Sequence, residues 1–348
     1  MIVKINSDIF NNSDCFDDLD DLIRLFERRH HRWDIDNDLK IKESEWLAPG
    51  QNIRVERRVE DIIEKSFVNS GYITQSMRRD RHTIRITLTP EKDNEFTPED
   101  AFKFLTSPVH VVVENYDSDR TFLEAVIRAY KKEELRVAID NEWIIIEGMG
   151  GIGQIPNRID AYYESHKDAY YESSQNVKLY ILVDSDREHP GDAHSSQAEK
   201  VFEKCKEKGI EGNLTILYKR AIENYLPLNA LAEVPDALKH VYEAYKLLDD
   251  PNKWDFYNMK GGFGVRNKKG RMTYNKLPKK QERLFYGIKK GDTLFEDLKE
   301  GFKMKDFHLY SLFKKEDKIT KAALQERCEH QEIPDELEKL LKGILSLL

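Results

Sequence analysis

Two aspartates one residue apart, Asp184 and Asp186, close the stretch Val177–Asp186 (VKLYILVDSD). Its apolar run from Leu179 to Val183 does not alternate, the pattern of a parallel strand covered by helices on both faces. Open α/β sheets bind ligands at the carboxyl ends of their strands. A D-S-D there brings two hard oxygen donors to one spot, the donors that Mg²⁺ or Mn²⁺ requires. Taken alone, the pattern equally describes a strand–turn junction, where Asp and Ser are common. A third acid, Glu114, closes another β-branched run, Val109–Val113. Right-handed crossovers bring first and third strands together in several doubly wound orders. Gathered carboxylates repel one another and are tolerated mainly where a divalent cation compensates them. The fitting chemistry is phosphoryl transfer or phosphodiester hydrolysis, with one metal acidifying water and a second steadying the leaving oxygen.

The elements that must position these acids are legible between about 108 and 228, where buried strands and amphipathic helices alternate four times. The strands are Val109–Glu114, WIIIE at 143–147, Val177–Asp186 and Asn213–Tyr218. The turn GMGGIG (148–153) opens a helix over Pro156–His166, and another helix spans about Ser195–Lys208. This order predicts an α/β fold with a mainly parallel sheet flanked by helices. We expect three regions: an N-terminal α+β domain over 1–106, the catalytic sheet over 107–230, and a mainly helical region over 231–348. In the first, Asp18–His31 and Val55–Phe67 read as helices. Tyr72–Ser76 and Thr83–Thr89 read as a hairpin whose basic tip carries Arg78, Arg79 and Arg81. Helix followed by basic hairpin is reminiscent of a winged helix touching DNA, or is a solvated turn. Thr97-Pro98-Glu99-Asp100 marks a helix start. Leu337, Leu340, Leu341, Ile344 and Leu345 line a last helix.

The 348 residues are 39% hydrophobic and 34% charged, a globular balance. No run reaches the roughly 18 apolar residues that span a bilayer, and the N-terminus lacks a signal-peptide pattern. Cys15, Cys205 and Cys328 form no C-x-x-C, which argues against a disulfide framework or zinc site and for a cytoplasmic protein. The formal charge of −8 is uneven: Pro251–Lys290 holds nine Lys and three Arg against one Asp and one Glu. A basic block in an otherwise acidic chain suggests a polyanionic partner. Its candidate nucleic-acid contacts are Arg266, Lys268, Lys269, Arg271, Lys279 and Lys280. The charge pattern offers backbone grip and favours DNA. Phe256, Tyr257, Phe263 and Tyr274 interleave with the block, and stacking of bases on them would suit RNA, transfer RNA included. No G-x-x-x-x-G-K-[ST] is present, so no P-loop ATPase is encoded.

Together VVVEN with its following Ser-Asp and amphipathic helix, the glycine turn, ILVDSD and KRAIENYLP resemble a Toprim domain. The likeness covers about a third of the chain, residues 108–230. It is closest to the nucleases of the overcoming-lysogenization-defect (OLD) family and related prokaryotic anti-phage effectors. The resemblance implies Mg²⁺ or Mn²⁺ held by Glu114, Asp184 and Asp186. Relatives carry another acid four residues after the first. Here Asp117 lies three and Asp119 five residues on, and Asp119, leading into the helix as Ser-Asp-Arg, is preferred as a fourth metal ligand. Glu223, in the I-E-N-Y-L element, becomes a further metal-binding or orienting residue, or else a helix-opening acid. Lys219 and Arg220 beside it either neutralise charge on the leaving phosphate or form a solvated pair. Gly148, Gly150, Gly151 and Gly153 either let backbone amides approach phosphate or metal, or serve a tight turn. Relatives often use a fused or separate ATPase, which implies a partner subunit here, and a homodimer would suit the cutting of two strands. The expected function is a metal-dependent endonuclease in anti-phage defence. Its alternatives are a transfer-RNA nuclease, a primase- or topoisomerase-like enzyme, and a metal-binding module without turnover.

Overall fold

The computed structural model describes residues 1–348 except 29–30, 37, 49–55, 76–80, 167–173, 267–271, 274–276, 278 and 280. The sheet of the second region consists of β5 (Val109–Val113), β6 (Ile144–Gly148), β7 (Leu179–Val183) and β8 (Leu214–Ile216), all parallel, in the order β6-β5-β7-β8. Four helices connect or follow these strands: α4 (Tyr116–Ala129), α5 (Glu133–Asp140), α6 (Ile155–Ser165) and α7 (Ser196–Glu207). Every residue of β7 is buried, as its unbroken apolar run requires. Alternate side chains of β5 enter opposite layers. Val109, Val111 and Val113 join Phe122, Leu123 and Val126 of α4, while Val112 joins Ile155, Ile159 and Val201 of α6 and α7.

The first region is also a four-stranded parallel sheet, in the order β2-β1-β3-β4: β1 (Ile2–Ile5), β2 (Arg32–Trp33), β3 (Thr83–Ile86) and β4 (Glu95–Phe96). It packs on α1 (Phe16–Arg28), α2 (Glu56–Gly71) and α3 (Pro98–Thr106), burying Val3, Ile84 and Ile86 against Leu19, Ile23, Ile62 and Phe104. Thr97 caps α3, its hydroxyl accepting from the Asp100 amide at 3.2 Å. Among the described residues the expected hairpin is not formed. Thr83–Ile86 pairs in parallel with Ile2–Ile5, and Tyr72–Thr74 form no strand. MIVKI, only four strand residues long, supplies the buried partner, and helices instead of a tight turn make the connections. Arg81 is no solvated tip: its guanidinium grips both oxygens of Glu134 on α5 at 2.6 and 2.5 Å. Arg78 and Arg79 lie outside the described residues.

The C-terminal region contributes α8 (Lys239–Lys246), α9 (Pro251–Phe256), α10 (Lys321–Cys328) and α11 (Glu336–Ser346). Its core is continuous with the α4 face of the second sheet, running from Val111 and Phe122 to Leu337, Leu340 and Ile344. The approach of α11 is close. A Cβ at Gly343 would lie 2.6 Å from the Tyr180 hydroxyl on β7, which itself bonds Thr215 of β8 at 2.8 Å. The three cysteines are free and buried. Among the described residues no helix is long and apolar enough to cross a membrane.

The Gly343 contact gives a direct test of this packing. Gly343→Val should lower stability by about 1–3 kcal/mol, the cost of overpacking a filled site, read as a shift in the denaturation midpoint. An unchanged midpoint would mean that α11 does not rest on β7.

Candidate active site

β5 and β7 are hydrogen-bonded neighbours, and the helices that follow them, α4 and α7, lie on opposite faces of the sheet. The chain therefore parts at their carboxyl ends, the crevice where open α/β sheets take ligands. Glu114 leaves β5 there and Asp184 leaves β7. The Asp184 amide donates to Glu114 Oε1 at 2.9 Å. Asp184 Oδ1 accepts in turn from the Ile222 amide at 3.0 Å, tying the turn after β8 to the same point.

Asp119 is buried in the first turn of α4, where Oδ2 accepts from the Asn115 amide and Oδ1 from the Ser118 hydroxyl, both at 2.9 Å. Asp117 is exposed, so the preferred Asp119 is the acid turned inward. Asp186 is exposed, with a left-handed φ of 51° that Asp tolerates better than most residues. Its amide is pinned to the Arg220 carbonyl at 3.0 Å. Glu223 is 1% exposed. Lys260 Nζ pairs with Glu223 Oε1 at 2.9 Å, leaving Oε2 without a hydrogen-bond partner among the described residues. The glycine turn closes the rim. A Cβ at Gly148 would meet the Tyr116 amide nitrogen at 2.5 Å, and the Gly151 amide donates to the Glu114 carbonyl at 3.1 Å.

The acids share one electrostatic field. Burial, reinforced by Asp186 and Asp119 and opposed by the Asp184 amide, pushes Glu114 up to about 7. Burial and then Glu114, Glu223 and Asp119 raise Asp184 well above the carboxylate range. Burial also raises Asp119 and Glu223. Lys260 is the cation that offsets all four. Burial works against its charge, yet Glu223, Asp184 and Asp119 hold its pKa above the ordinary lysine value. Sequence reasoning missed Lys260, one lysine among nine in a basic block, with only the following Gly261-Gly262 turn to set it apart.

Lys219 and Arg220 part company. Lys219 is wholly buried, its ammonium ion-paired with Asp255 and donating to the Arg327 carbonyl at 2.7 Å. That network, completed by Arg327 and His330 on Asp255, engages Lys219 inside the protein instead of offering it to a phosphate. Arg220 stays near the site, where Glu188, Asp186 and Asp184 oppose the lowering of its pKa by burial. Its Nη1 has no hydrogen-bond partner among the described residues.

In the basic block, Arg266 lies on a short antiparallel ribbon, Val265–Arg266 with Met272–Thr273, and Lys279 is exposed. Lys268, Lys269, Arg271, Lys280 and Tyr274 lie outside the described residues. Phe256, Tyr257 and Phe263 are no stacking platform: all three are fully buried in the core, Phe263 packed against Phe285 and Phe295.

The donor set suits a hard divalent cation in kind, being carboxylates alone, with Glu223 Oε2 buried and without a hydrogen-bond partner among the described residues. It is not a preformed cage: among the described residues no three His, Cys, Asp or Glu side chains converge to hold a metal ion. Comparison with known proteins adds no assignment, since no protein-family model, curated protein or solved structure matches this chain.

Two outcomes follow from these charges. Glu114 has a folded pKa near 7 against an ordinary 4.5, so its contribution to stability is present at acid pH and lost as pH rises through 7. In EDTA the melting temperature should fall by several degrees between pH 5 and 8, and Mg²⁺ or Mn²⁺ should restore it at pH 8. Glu336 is also raised to about 7 by burial, so Glu114→Gln is the needed control and should flatten both responses. A pH profile identical in the two proteins would refute the coupling. For Lys219, removing one partner of a buried pair costs roughly 3–5 kcal/mol. Lys219→Met should therefore lose stability while keeping its activity per folded molecule. Lost activity at unchanged stability would return Lys219 to the active centre.

Proposed function

We propose that this chain is a divalent-metal-dependent phosphodiesterase acting on nucleic acid, an endonuclease of the Toprim type. The observation that supports it most is the Asp184 amide–Glu114 carboxylate bond across the β5–β7 crevice, with Asp119, Glu223 and Lys260 in the same field. Glu114, Asp119, Asp184 and Asp186 would hold Mg²⁺ or Mn²⁺, which supplies an acidified water and offsets the charge of the phosphate. The backbone amides on Glu114 and Asp184 fix both carboxylates before substrate arrives. Glu223 orients Lys260 towards the crevice, where the ammonium meets negative charge as it builds on phosphate oxygens. Arg220 offers a second cation beside Asp184 and Asp186. The basic composition of Pro251–Lys290, nine Lys and three Arg, suits a sequence-independent grip on a phosphate backbone and carries the reading that DNA is the substrate. A role in prokaryotic anti-phage defence, alongside a separate ATPase subunit, rests on the resemblance of VVVEN, ILVDSD and IENYL to the OLD-type nucleases.

The test is hydrolysis of supercoiled plasmid and of total transfer RNA with Mg²⁺, Mn²⁺ or EDTA. Cutting should require metal, and Asp184→Ala should reduce it by about 100-fold or more while nucleic-acid binding persists. Metal-dependent cutting that survives the substitution would sink the assignment. Binding without turnover in the parent protein would favour a non-catalytic module.

A further inference from the structure

A cleft of about 750 Å³ opens beside the acids, and Glu223 and Lys260 belong to both. One wall is the head of α4, where the Tyr116 ring is 45% exposed. The Arg120 guanidinium lies 5.3 Å from the centre of that ring and donates to its hydroxyl. Gly148 admits this placement, because any side chain there would strike the Tyr116 backbone. The segment 302–310 also lines the cleft. On that segment His308 and Tyr310 stack with ring centres 5.4 Å apart and planes 14° apart, His308 exposed and Tyr310 partly so. Lys303 is exposed on the same segment. The volume lies in the range of sites that enclose a small organic ligand and far above that of a lone ion. A purely apolar ligand would leave Glu223, Lys260 and Lys303 unanswered. Part-exposed aromatic rings with interleaved cations suit a planar base attached to phosphate.

We propose that this cleft binds one unstacked nucleobase, so that the strand reaches Glu114 and Asp184 as an unpaired or looped segment instead of regular duplex. The inference rests on the nuclease reading for its functional meaning and deepens it by naming the substrate class. A base stacked on Tyr116 or on the His308–Tyr310 pair would leave its own phosphate within the cleft that Lys260 also lines. A paired base cannot enter, because both of its faces are already covered by its neighbours. Pairing at the target would then oppose cutting by the cost of opening it, a few kcal/mol per flipped base. Phe256, Tyr257 and Phe263, offered as stackers by the sequence, are core, and the aromatic residues that line this cleft lie 39 or more positions from them in the chain.

The test is binding in EDTA, where nothing is cut, so it is independent of turnover. Fluorescent single-stranded DNA, single-stranded RNA, a hairpin with an unpaired loop, a blunt duplex and free AMP would be compared by anisotropy. A 2-aminopurine in the unpaired strands would report stacking. We expect the unpaired strands to bind about tenfold or more tightly than the duplex, with 2-aminopurine quenched. Tyr116→Ala and Tyr310→Ala should each weaken them by about tenfold, while Tyr310→Phe, which keeps the ring, retains binding. Melting temperatures would confirm that the variants are folded, and quenching in the unaltered protein stands without them. Equal affinity for duplex, unquenched 2-aminopurine, folded alanine variants that bind normally, or no binding of any strand would overturn the proposal. AMP competing as strongly as an oligonucleotide would overturn it in favour of a mononucleotide site. Ring-dependent binding without any metal-dependent cutting would leave this proposal standing and remove the nuclease reading instead.

Discussion

Crowded negative charge in a part-buried crevice is the constraint on which the rest of the structure depends. Glu114, Asp119, Asp184 and Glu223 lie close enough to raise one another's affinity for protons, and one lysine offsets them. Such an arrangement is costly without a partner, since buried carboxylates resist ionisation unless a cation or directed hydrogen bonds compensate. The chain supplies amides to Glu114, Asp119 and Asp184 but leaves Glu223 with Lys260 alone. A site built only for stability would pair these groups or replace them with apolar ones. Here the crowded acids lie at the carboxyl end of the sheet, with Lys260 as the cation that offsets all four.

A second ionic cluster lies behind the first and differs in kind. Lys219, Asp255, Arg327 and His330 satisfy one another in the interior, and Asp255 is held in its charged form, its pKa lowered by His330, Lys219 and Arg327 against burial. The two clusters meet along one short stretch: Lys219 faces inward, Arg220 lies by the acids, and the Arg220 amide donates to the Asp255 carbonyl at 3.0 Å. Glu336 of α11 adds a further tie, accepting from the Tyr218 amide at 2.6 Å and from the Tyr225 hydroxyl. The C-terminal helices thus fasten the loop that presents Glu223. The crevice is braced by a buried network in a region that supplies none of its acids, the role of a supporting shell.

What could be read from the sequence follows from what residue order encodes. The sheet of β5–β8 was legible because long apolar runs alternating with helical periods leave few topologies. The meeting of Glu114 with Asp184 followed from the strand order that those rules favour. The first sheet was not legible: Ile2–Ile5 is too short for its period to register, and Thr83–Ile86 looks the same in a hairpin as beside a parallel partner. The fates of Lys219 and Lys260 were hidden because they depend on contacts 36 and 37 residues away in sequence, with Asp255 and Glu223 respectively. Phe256, Tyr257 and Phe263 misled for a related reason. Aromatic residues between lysines look like a stacking surface, but these three rings are buried in the core.

The central claim is that the acids of the β5–β7 crevice bind a divalent cation. The most direct measurement is anomalous diffraction from crystals of the protein soaked in Mn²⁺. The account predicts an ion ligated by both Glu114 and Asp184, at about the 2.0–2.2 Å expected for a small hard cation on oxygen, with Lys260 moved away from Glu223. Saturating Mn²⁺ with no peak in the crevice, and Lys260 still beside Glu223, would contradict it.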